Sequence, residues 1–280
     1  MNRGAALADR PGMFHLVART RGSALLANDV VELCELFHRL RRGVPGADAL
    51  CVMPNHVHLL HPRDVRVLLA AILGAYVQWR NRRRGEVGGL IQPLPAAEPL
   101  TDADKVRRAL RYVHLNPCRA RLTNDPVSWP FSSHLDALGL TRDPLRAPAR
   151  SPIDLHAYIS ADPSVNVSGT DFPVCPRGDV PLENLRAAVS VAFRVPVPAV
   201  QIRGAARTTF IEAARALSGS TVPQIARFAG VDERTVYRTK PVLHVDVATL
   251  AGDRRIDPID DAWFGDVLRR WRRRPTFDRG

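Results

Sequence analysis

Two histidines separated by one residue are the part of the sequence with the clearest chemical potential. His56 and His58 lie in the segment Met53–Leu60, which reads MPNHVHLL. Side chains alternate between the two faces of a β-strand, so these two imidazoles project to the same side. Two neighbouring imidazoles can share a metal ion, but a His-x-His pair on the solvent face of an edge strand has the same sequence. A third ligand and a reacting group would favour the metal site.

A tyrosine and an asparagine further along the chain can supply both. Tyr112 and Asn116 lie four residues apart in the segment Arg111–Ala120, RYVHLNPCRA, where we predict an amphipathic helix that ends at Pro117. Residues at i and i+4 share a helix face, so a phenol and a carboxamide are presented together. Tyrosines without a comparable partner at helical spacing are Tyr76, Tyr158 and Tyr237. Histidines that we expect to be structural or solvent-facing are His15, His38, His61 and His114.

Hydrophobic spacing indicates which elements position these groups. Leu50–Met53 and Val57–Leu60 predict two strands joined by a tight turn, which together form a β-hairpin around the Pro-Asn step. Phe14–Arg19 predicts a first strand, and a capping-box-like start at Thr101 predicts the beginning of the tyrosine helix. Two further amphipathic helices are predicted at residues 29–43 and 65–84. This pattern indicates an α+β fold.

The charge of the chain indicates a polyanionic partner. The 280 residues carry a net charge of +12, for which nucleic acid is the leading candidate. The basic run Arg80–Arg84 also has a simpler reading as a solvated helix end. The residues that we predict to contact DNA are Arg19, Arg21, Arg82, Arg83, Arg234, Thr235 and Arg238.

Composition also sets expectations about cellular location. The four cysteines show no CxxC spacing and no disulfide framework, which favours a reducing compartment. The first residues lack the long apolar stretch that a signal peptide would show, and no apolar run elsewhere is long enough to span a bilayer. We therefore expect a cytoplasmic, nucleoid-associated protein without a membrane partner, acting as a monomer or a homodimer.

Periodicity divides the chain into four regions. Residues 1–143 are predicted to form the domain with the histidines and Tyr112, and the proline-rich residues 144–181 to form a linker. Residues 182–245 are predicted to form a small all-α domain with a helix-turn-helix, in which Gly230 lies at the turn. Residues 246–280 are predicted to form a basic, partly disordered tail.

Three segments together resemble a known family. Met53–Leu60, Arg111–Ala120 and Trp129–Ser133 (WPFSS) are similar to motifs of the single-tyrosine HUH transposases related to insertion-sequence-200 elements, and most similar to those of the REP-associated tyrosine transposases. The resemblance covers about Phe14 to Leu140. Ile225–Val236 (IARFAGVDERTV) resembles the DNA-binding domain of the replication initiator DnaA.

The resemblance implies a fold, a reaction and a set of partners. It implies a ferredoxin-like antiparallel sheet with packed helices, an HUH endonuclease core. Tyr112 would be the nucleophile, and His56, His58 and Asn116 would bind Mg²⁺ or Mn²⁺. The substrate would be single-stranded hairpin DNA, cleaved and rejoined through a 5′-phosphotyrosine intermediate, while the C-terminal domain would bind duplex DNA.

Two other functions remain open at this stage. The chain could be a domesticated DNA-binding regulator with an idle nuclease site. A nucleotide hydrolase with a His-x-His-x-His strand is a weaker alternative, since Leu60 occupies the place of the third histidine.

Overall fold

The hairpin predicted around the Pro-Asn step is present in the computed structural model, which describes residues 12–168, 171–176 and 178–273. It belongs to a four-stranded antiparallel sheet with the order β2-β3-β1-β4. The strands are β1 (Met13–Arg19), β2 (Ala49–Val52), β3 (His56–His61) and β4 (Glu98–Leu100). The two central strands, β1 and β3, pair from Phe14 opposite His61 to Arg19 opposite His56. The chain is therefore α+β.

Three helices alternate with these strands: α1 (Val30–Gly43), α2 (Arg66–Arg84) and α3 (Ala103–Arg119). The carboxylate of Asp29 accepts a hydrogen bond from the Glu32 amide and caps α1. In α3 the cap is Asp102, which accepts from the Lys105 amide, so the start predicted at Thr101 is one residue early.

Pro117 does not end α3, as we had predicted from the sequence. The helix continues to Arg119, and the Ala120 amide donates to the Asn116 carbonyl. Proline has no N–H to donate to the carbonyl one turn earlier, but near the end of a helix the following turn can still close. Arg119 therefore remains on the same helix as Tyr112.

Helix α4 (His134–Ala137) lies near the end of the first half of the chain, and the remaining described helices follow in the second half: α5 (Pro152–Ser160), α6 (Leu182–Phe193), α7 (Val197–Val200), α8 (Ala205–Leu217), α9 (Val222–Ala229), α10 (Glu233–Arg238), α11 (Val245–Gly252) and α12 (Asp261–Arg272). The helices α9 and α10 are joined by residues 230–232, and Gly230 adopts the left-handed conformation (φ 66°) that the tight turn requires. No helix among the described residues is long and apolar enough to cross a membrane.

Two regions predicted to be irregular contain helices. The predicted linker, residues 144–181, contains α5, which starts with a Ser151 cap followed by Pro152 at the first helical position. Its many prolines hide this local start signal. The predicted tail, residues 246–280, contains α11 and α12 as far as Arg272, and its last residues, 274–280, lie outside the described part.

The two halves of the chain share buried contacts. Arg194, which follows α6, is fully buried, and its guanidinium donates to the carbonyls of Pro130 (2.6 Å) and Ser132 (3.0 Å). The same guanidinium lies 2.8 Å from the buried carboxylate of Asp136. The charge of Arg194 is thus compensated entirely by groups from the first half of the chain.

Candidate active site

The histidine pair lies on the central strand β3 beneath helix α3. His56 and His58 are 5% and 2% exposed, and their ring centroids are 4.8 Å apart. Both side chains contact Asn116 of α3, as expected from the alternation of side chains along a strand. The structure thus confirms that they share a face, and it shows that this face is covered.

The Asn116 carboxamide lies between the two imidazoles. Its Oδ1 is 3.3 Å from Nε2 of His56, and its Nδ2 is 3.1 Å from Nε2 of His58. Asn116 is itself 6% exposed, because α3 packs on the sheet at this point. Two Nε2 atoms and one amide oxygen therefore converge, although they belong to elements nearly sixty residues apart.

The outer nitrogens of both rings are held by other side chains. Nδ1 of His56 is 2.6 Å from Oδ1 of Asn55, and Nδ1 of His58 is 3.0 Å from Nε2 of His15. When each Nδ1 donates its proton to these acceptors, both Nε2 lone pairs are directed at Asn116. The amide can donate to one of them only, so its oxygen faces the lone pair of the other.

This donor set is compatible with a divalent cation. Neutral imidazole nitrogens and an amide oxygen suit Mn²⁺ and can accept Mg²⁺, which prefers oxygen ligands. Metal-binding histidines usually donate their other N–H to an acceptor, as the contacts of Asn55 and His15 allow. No group of three or more His, Cys, Asp and Glu side chains in the described ranges could hold a metal ion, so a site here depends on the oxygen of Asn116.

Tyr112 lies one turn before Asn116 and beside the imidazoles of His58 and His15. Its ring centroid is 5.3 Å from that of His58 and 6.2 Å from that of His15. With 38% of its surface exposed, it is the member of the group that solvent can reach. The structure thus brings together Tyr112, His56, His58 and Asn116.

The other tyrosines lie elsewhere. Tyr76 is fully buried, its hydroxyl donates to the Leu26 carbonyl, and burial raises the pKa of its phenol. Tyr158 lies under the Arg111 guanidinium, and Tyr237 is exposed on α10. Tyr112 alone among the tyrosines combines exposure with a ring contact to His58.

Burial favours the neutral form of His58 and His15. Desolvation lowers the pKa of His58 well below its ordinary value, and the neighbouring charges of His56, His15 and Arg19 lower it further. Desolvation also lowers the pKa of His15, against the opposing effect of the Glu98 carboxylate. Neutral imidazole is the form that binds a metal, so His58 is ready for one at neutral pH.

His15 and α12 are the parts of the site that the sequence did not predict. We had expected His15 to be structural or solvent-facing, but it contacts both His58 and Tyr112. Its position on β1 was predicted, whereas the pairing of β1 with β3 has no local signal. The ring of Trp271, from the predicted tail, is 6.3 Å from the ring of His56.

The predicted DNA contacts near the sheet differ in their surroundings. Arg19 is exposed at the end of β1, opposite His56, and Arg21 donates to the Ile91 carbonyl. Arg82 is exposed, whereas Arg83 pairs with Asp29 (2.5 Å) and with the fully buried Glu32 (3.1 Å). Arg82 is thus available to a phosphate, and the charge of Arg83 is already compensated.

The remaining predicted contacts lie on α10, which packs against α9. Arg234 and Arg238 are exposed. The Thr235 hydroxyl donates to Asp232, the residue that caps this helix. These three residues belong to a helix pair in the second half of the chain, separate from the sheet and α3.

Comparisons with known proteins give one distant likeness. A comparison of the sequence with protein-family profiles finds no match, and neither does a comparison with curated proteins. A solved structure described as a REP-associated tyrosine transposase bound to a REP hairpin is similar at 18% identity and a TM-score of 0.36, over 48% of this chain and 82% of that one.

Proposed function

We propose that the protein is a metal-dependent, single-tyrosine DNA endonuclease and strand transferase, a transposase of the HUH type that acts on hairpin DNA. The observation that carries this proposal is the position of Asn116 between His56 and His58, with Tyr112 one helical turn away and exposed. A nucleophile thus lies beside a set of ligands for a divalent cation.

In the proposed reaction Tyr112 supplies the attacking oxygen. Its phenolic oxygen attacks the phosphorus of a DNA phosphodiester, the bond between phosphorus and the 3′-oxygen breaks, and the phenolic proton passes to solvent. The 3′-oxygen takes up a proton, and the 5′-phosphate remains bonded to tyrosine. Because the phenolate of tyrosine is a good leaving group, a 3′-hydroxyl can attack the same phosphorus, displace Tyr112 and rejoin the DNA without ATP. A divalent cation held by His56, His58 and Asn116 would offset the charge of the phosphate and orient it.

The fold and the charge support this function. The order β2-β3-β1-β4, with α1 and α2 between the strands, is the arrangement expected of a ferredoxin-like core. The proposed helix-turn-helix consists of α9 and α10, which are joined by the turn at Gly230, and the exposed Arg234 and Arg238 support a contact of α10 with duplex DNA. A net charge of +12 suits both kinds of DNA.

A covalent adduct is the direct test. The protein is incubated with Mn²⁺ and single-stranded hairpins taken from palindromes that flank its gene, and the products are separated under denaturing conditions. We expect a protein–DNA adduct that is absent in EDTA. Trypsin cleaves after Arg111 and Arg119, so mass spectrometry should find the nucleotide on the peptide Tyr112–Arg119.

Two variants identify the nucleophile. Tyr112→Phe should abolish the adduct and retain hairpin binding, while the matched control Tyr158→Phe should form the adduct normally. An adduct in Tyr112→Phe would contradict the assignment. If the wild-type protein binds these hairpins and forms no adduct with any of them, a DNA-binding regulator with an idle nuclease site becomes the better description.

A further inference from the structure

The guanidinium of Arg119 lies over the ring of Tyr112. Arg119 follows Tyr112 by seven residues, which is close to two full turns of α3, so the two side chains share a helix face with Asn116. The guanidinium carbon of Arg119 is 5.3 Å from the centroid of the Tyr112 ring, within the range of a cation–π contact. The nucleophile therefore has imidazoles on one side and a permanent positive charge on another.

Asp162 holds this guanidinium in place. Its carboxylate accepts from Nη2 of Arg119 at 2.6 Å, and it also accepts from the amide and the hydroxyl of Ser164. These bonds to Ser164 fix the carboxylate, which is 12% exposed. Nη2 of Arg119 is thus bound to a fixed carboxylate, and this bond sets the orientation of the whole guanidinium.

The helix α5 fixes the position of Asp162. Tyr158, on this helix, lies under the guanidinium of Arg111 from α3, with 3.9 Å between the guanidinium carbon and the ring centroid. His156, on the same helix, is fully buried, and its Nδ1 is 3.1 Å from Nε2 of His134. The segment predicted as a linker therefore docks on α3, directly before the residue that orients Arg119.

Arg119 keeps hydrogen-bonding capacity for an anion. Asp162 is the only hydrogen-bond partner that its guanidinium has within the described ranges and engages Nη2, so Nη1 has no partner there. About a third of the side chain is exposed (33%), next to the exposed Tyr112. A guanidinium with free donors beside a nucleophile is suited to a phosphate, because its planar fork matches two phosphate oxygens.

We propose that Arg119 is a further catalytic residue, which binds the non-bridging oxygens of the phosphate that Tyr112 attacks, and that Asp162 is its positioning residue. This inference rests on the proposed function for its catalytic part. Arg119 holds the phosphate against the phenol before attack and stays on it in the phosphotyrosine intermediate. Its effect is greatest where charge accumulates on those oxygens during the transfer.

Binding to DNA can be tested without any chemistry. In a Tyr112→Phe background, the affinity for a labelled oligothymidylate is measured over a series of salt concentrations. Arg119→Gln should lower the slope of log affinity against log salt by about 0.7, the loss of one phosphate contact on a single strand. The matched control is Arg107→Gln, which removes the same charge from an exposed pair with Asp104 on the same helix. An equal slope for both variants would overturn the phosphate contact, whatever the outcome of the adduct test.

The catalytic part is tested by the rate of adduct formation at saturating hairpin. Arg119→Gln should slow it about 100-fold, and Arg119→Lys should recover part of the loss because the charge remains while the fork is lost. Asp162→Asn should slow it about 10-fold, with Asp104→Asn as its unchanged control. Rates in Arg119→Gln and Arg119→Lys equal to that of Arg107→Gln would overturn the catalytic role. If the wild-type protein forms no adduct, both the proposed function and the catalytic role of Arg119 are overturned. The slope of log affinity against log salt then still decides whether Arg119 contacts a phosphate.

Discussion

Nε2 of His15 lies 3.0 Å from Nδ1 of His58, and the two rings are stacked with 5.2 Å between their centroids. This contact crosses from β1 to β3, the two central strands of the sheet. When Nδ1 of His58 carries the proton, Nε2 of His15 accepts its hydrogen bond, and the Nε2 lone pair of His58 is directed at Asn116. In this arrangement His15 holds both the ring orientation and the tautomer of a proposed metal ligand.

Replacing His15 should therefore weaken metal binding more than it affects folding. His15→Leu removes the acceptor, and we expect Mn²⁺ affinity to fall by about 10-fold or more, the usual effect of losing an outer partner of a ligand. His15→Gln keeps a side-chain oxygen that can accept the proton and should recover most of the affinity. Isothermal titration with Mn²⁺ measures both. Equal affinities for the two variants would show that the hydrogen bond has no such role.

A second prediction concerns acid stability. His114 and His134 are buried together, with 5.1 Å between their ring centroids. Burial lowers the pKa of His114 to about 4 despite the nearby Asp136 carboxylate. Burial lowers the pKa of His134 well below 6.5, assisted by the charges of His114 and His156. Both imidazoles are consequently neutral in the folded protein at mildly acidic pH.

The sign of the effect follows from these lowered values. Below about pH 6.5 the unfolded chain binds protons at these positions and the folded chain does not, so the free energy of unfolding falls as pH decreases toward 4. Each histidine contributes up to about 1.4 kcal/mol per pH unit. Urea titrations between pH 7 and pH 5 measure the change, and His134→Gln should reduce its slope. A wild-type stability that is flat over this range would contradict the prediction.

A third prediction concerns the connection between the two halves of the chain. Arg194 and Asp136 form a fully buried ion pair, so Arg194→Met leaves a buried carboxylate without its cation. We expect a loss of about 3–5 kcal/mol in the free energy of unfolding. The control Arg269→Met breaks an exposed pair with Asp266 and should change stability by less than about 1 kcal/mol. Similar losses in the two variants would mean that the buried pair does not hold the halves together.

A fourth prediction separates two neighbouring arginines of α2. Arg82→Gln should reduce the slope of log DNA affinity against log salt by the amount that one phosphate contact contributes. It should leave stability unchanged, because this side chain is exposed. Arg83→Gln should lower stability and leave the salt dependence unchanged, because Arg83 pairs with Asp29 and the buried Glu32. Fluorescence anisotropy and thermal unfolding measure the two quantities. The reverse pattern would assign the DNA contact to Arg83.

Local periodicity predicted the parts of the site that lie within single elements. The alternation around Val57 was enough to place His56 and His58 on one face, and helical spacing was enough to pair Tyr112 with Asn116. These relationships depend on spacings of two and four residues, whose geometry a strand or helix fixes regardless of the rest of the fold.

Relationships between elements had no comparable signal. His15 meets His58 only because β1 pairs with β3, and Arg119 meets Asp162 only because α5 docks on α3. Two local rules were also overridden. Pro117 lies within α3 where we had expected an end, and the proline-rich segment contains the helix α5. In both cases proline was read as a breaker, although a first helical turn or a last one tolerates it.

The position of β3 inside the sheet has a consequence for hydrogen exchange. Because β2 and β1 pair with β3 on its two sides, the backbone amides around His56 and His58 exchange only when the sheet itself opens. The amides of α3 are protected by their own helix and by side-chain packing. Deuterium uptake should therefore be slower around His58 than around Tyr112. If DNA binding draws Tyr112 and the two imidazoles closer together, we expect α3 to move and β3 to stay in place.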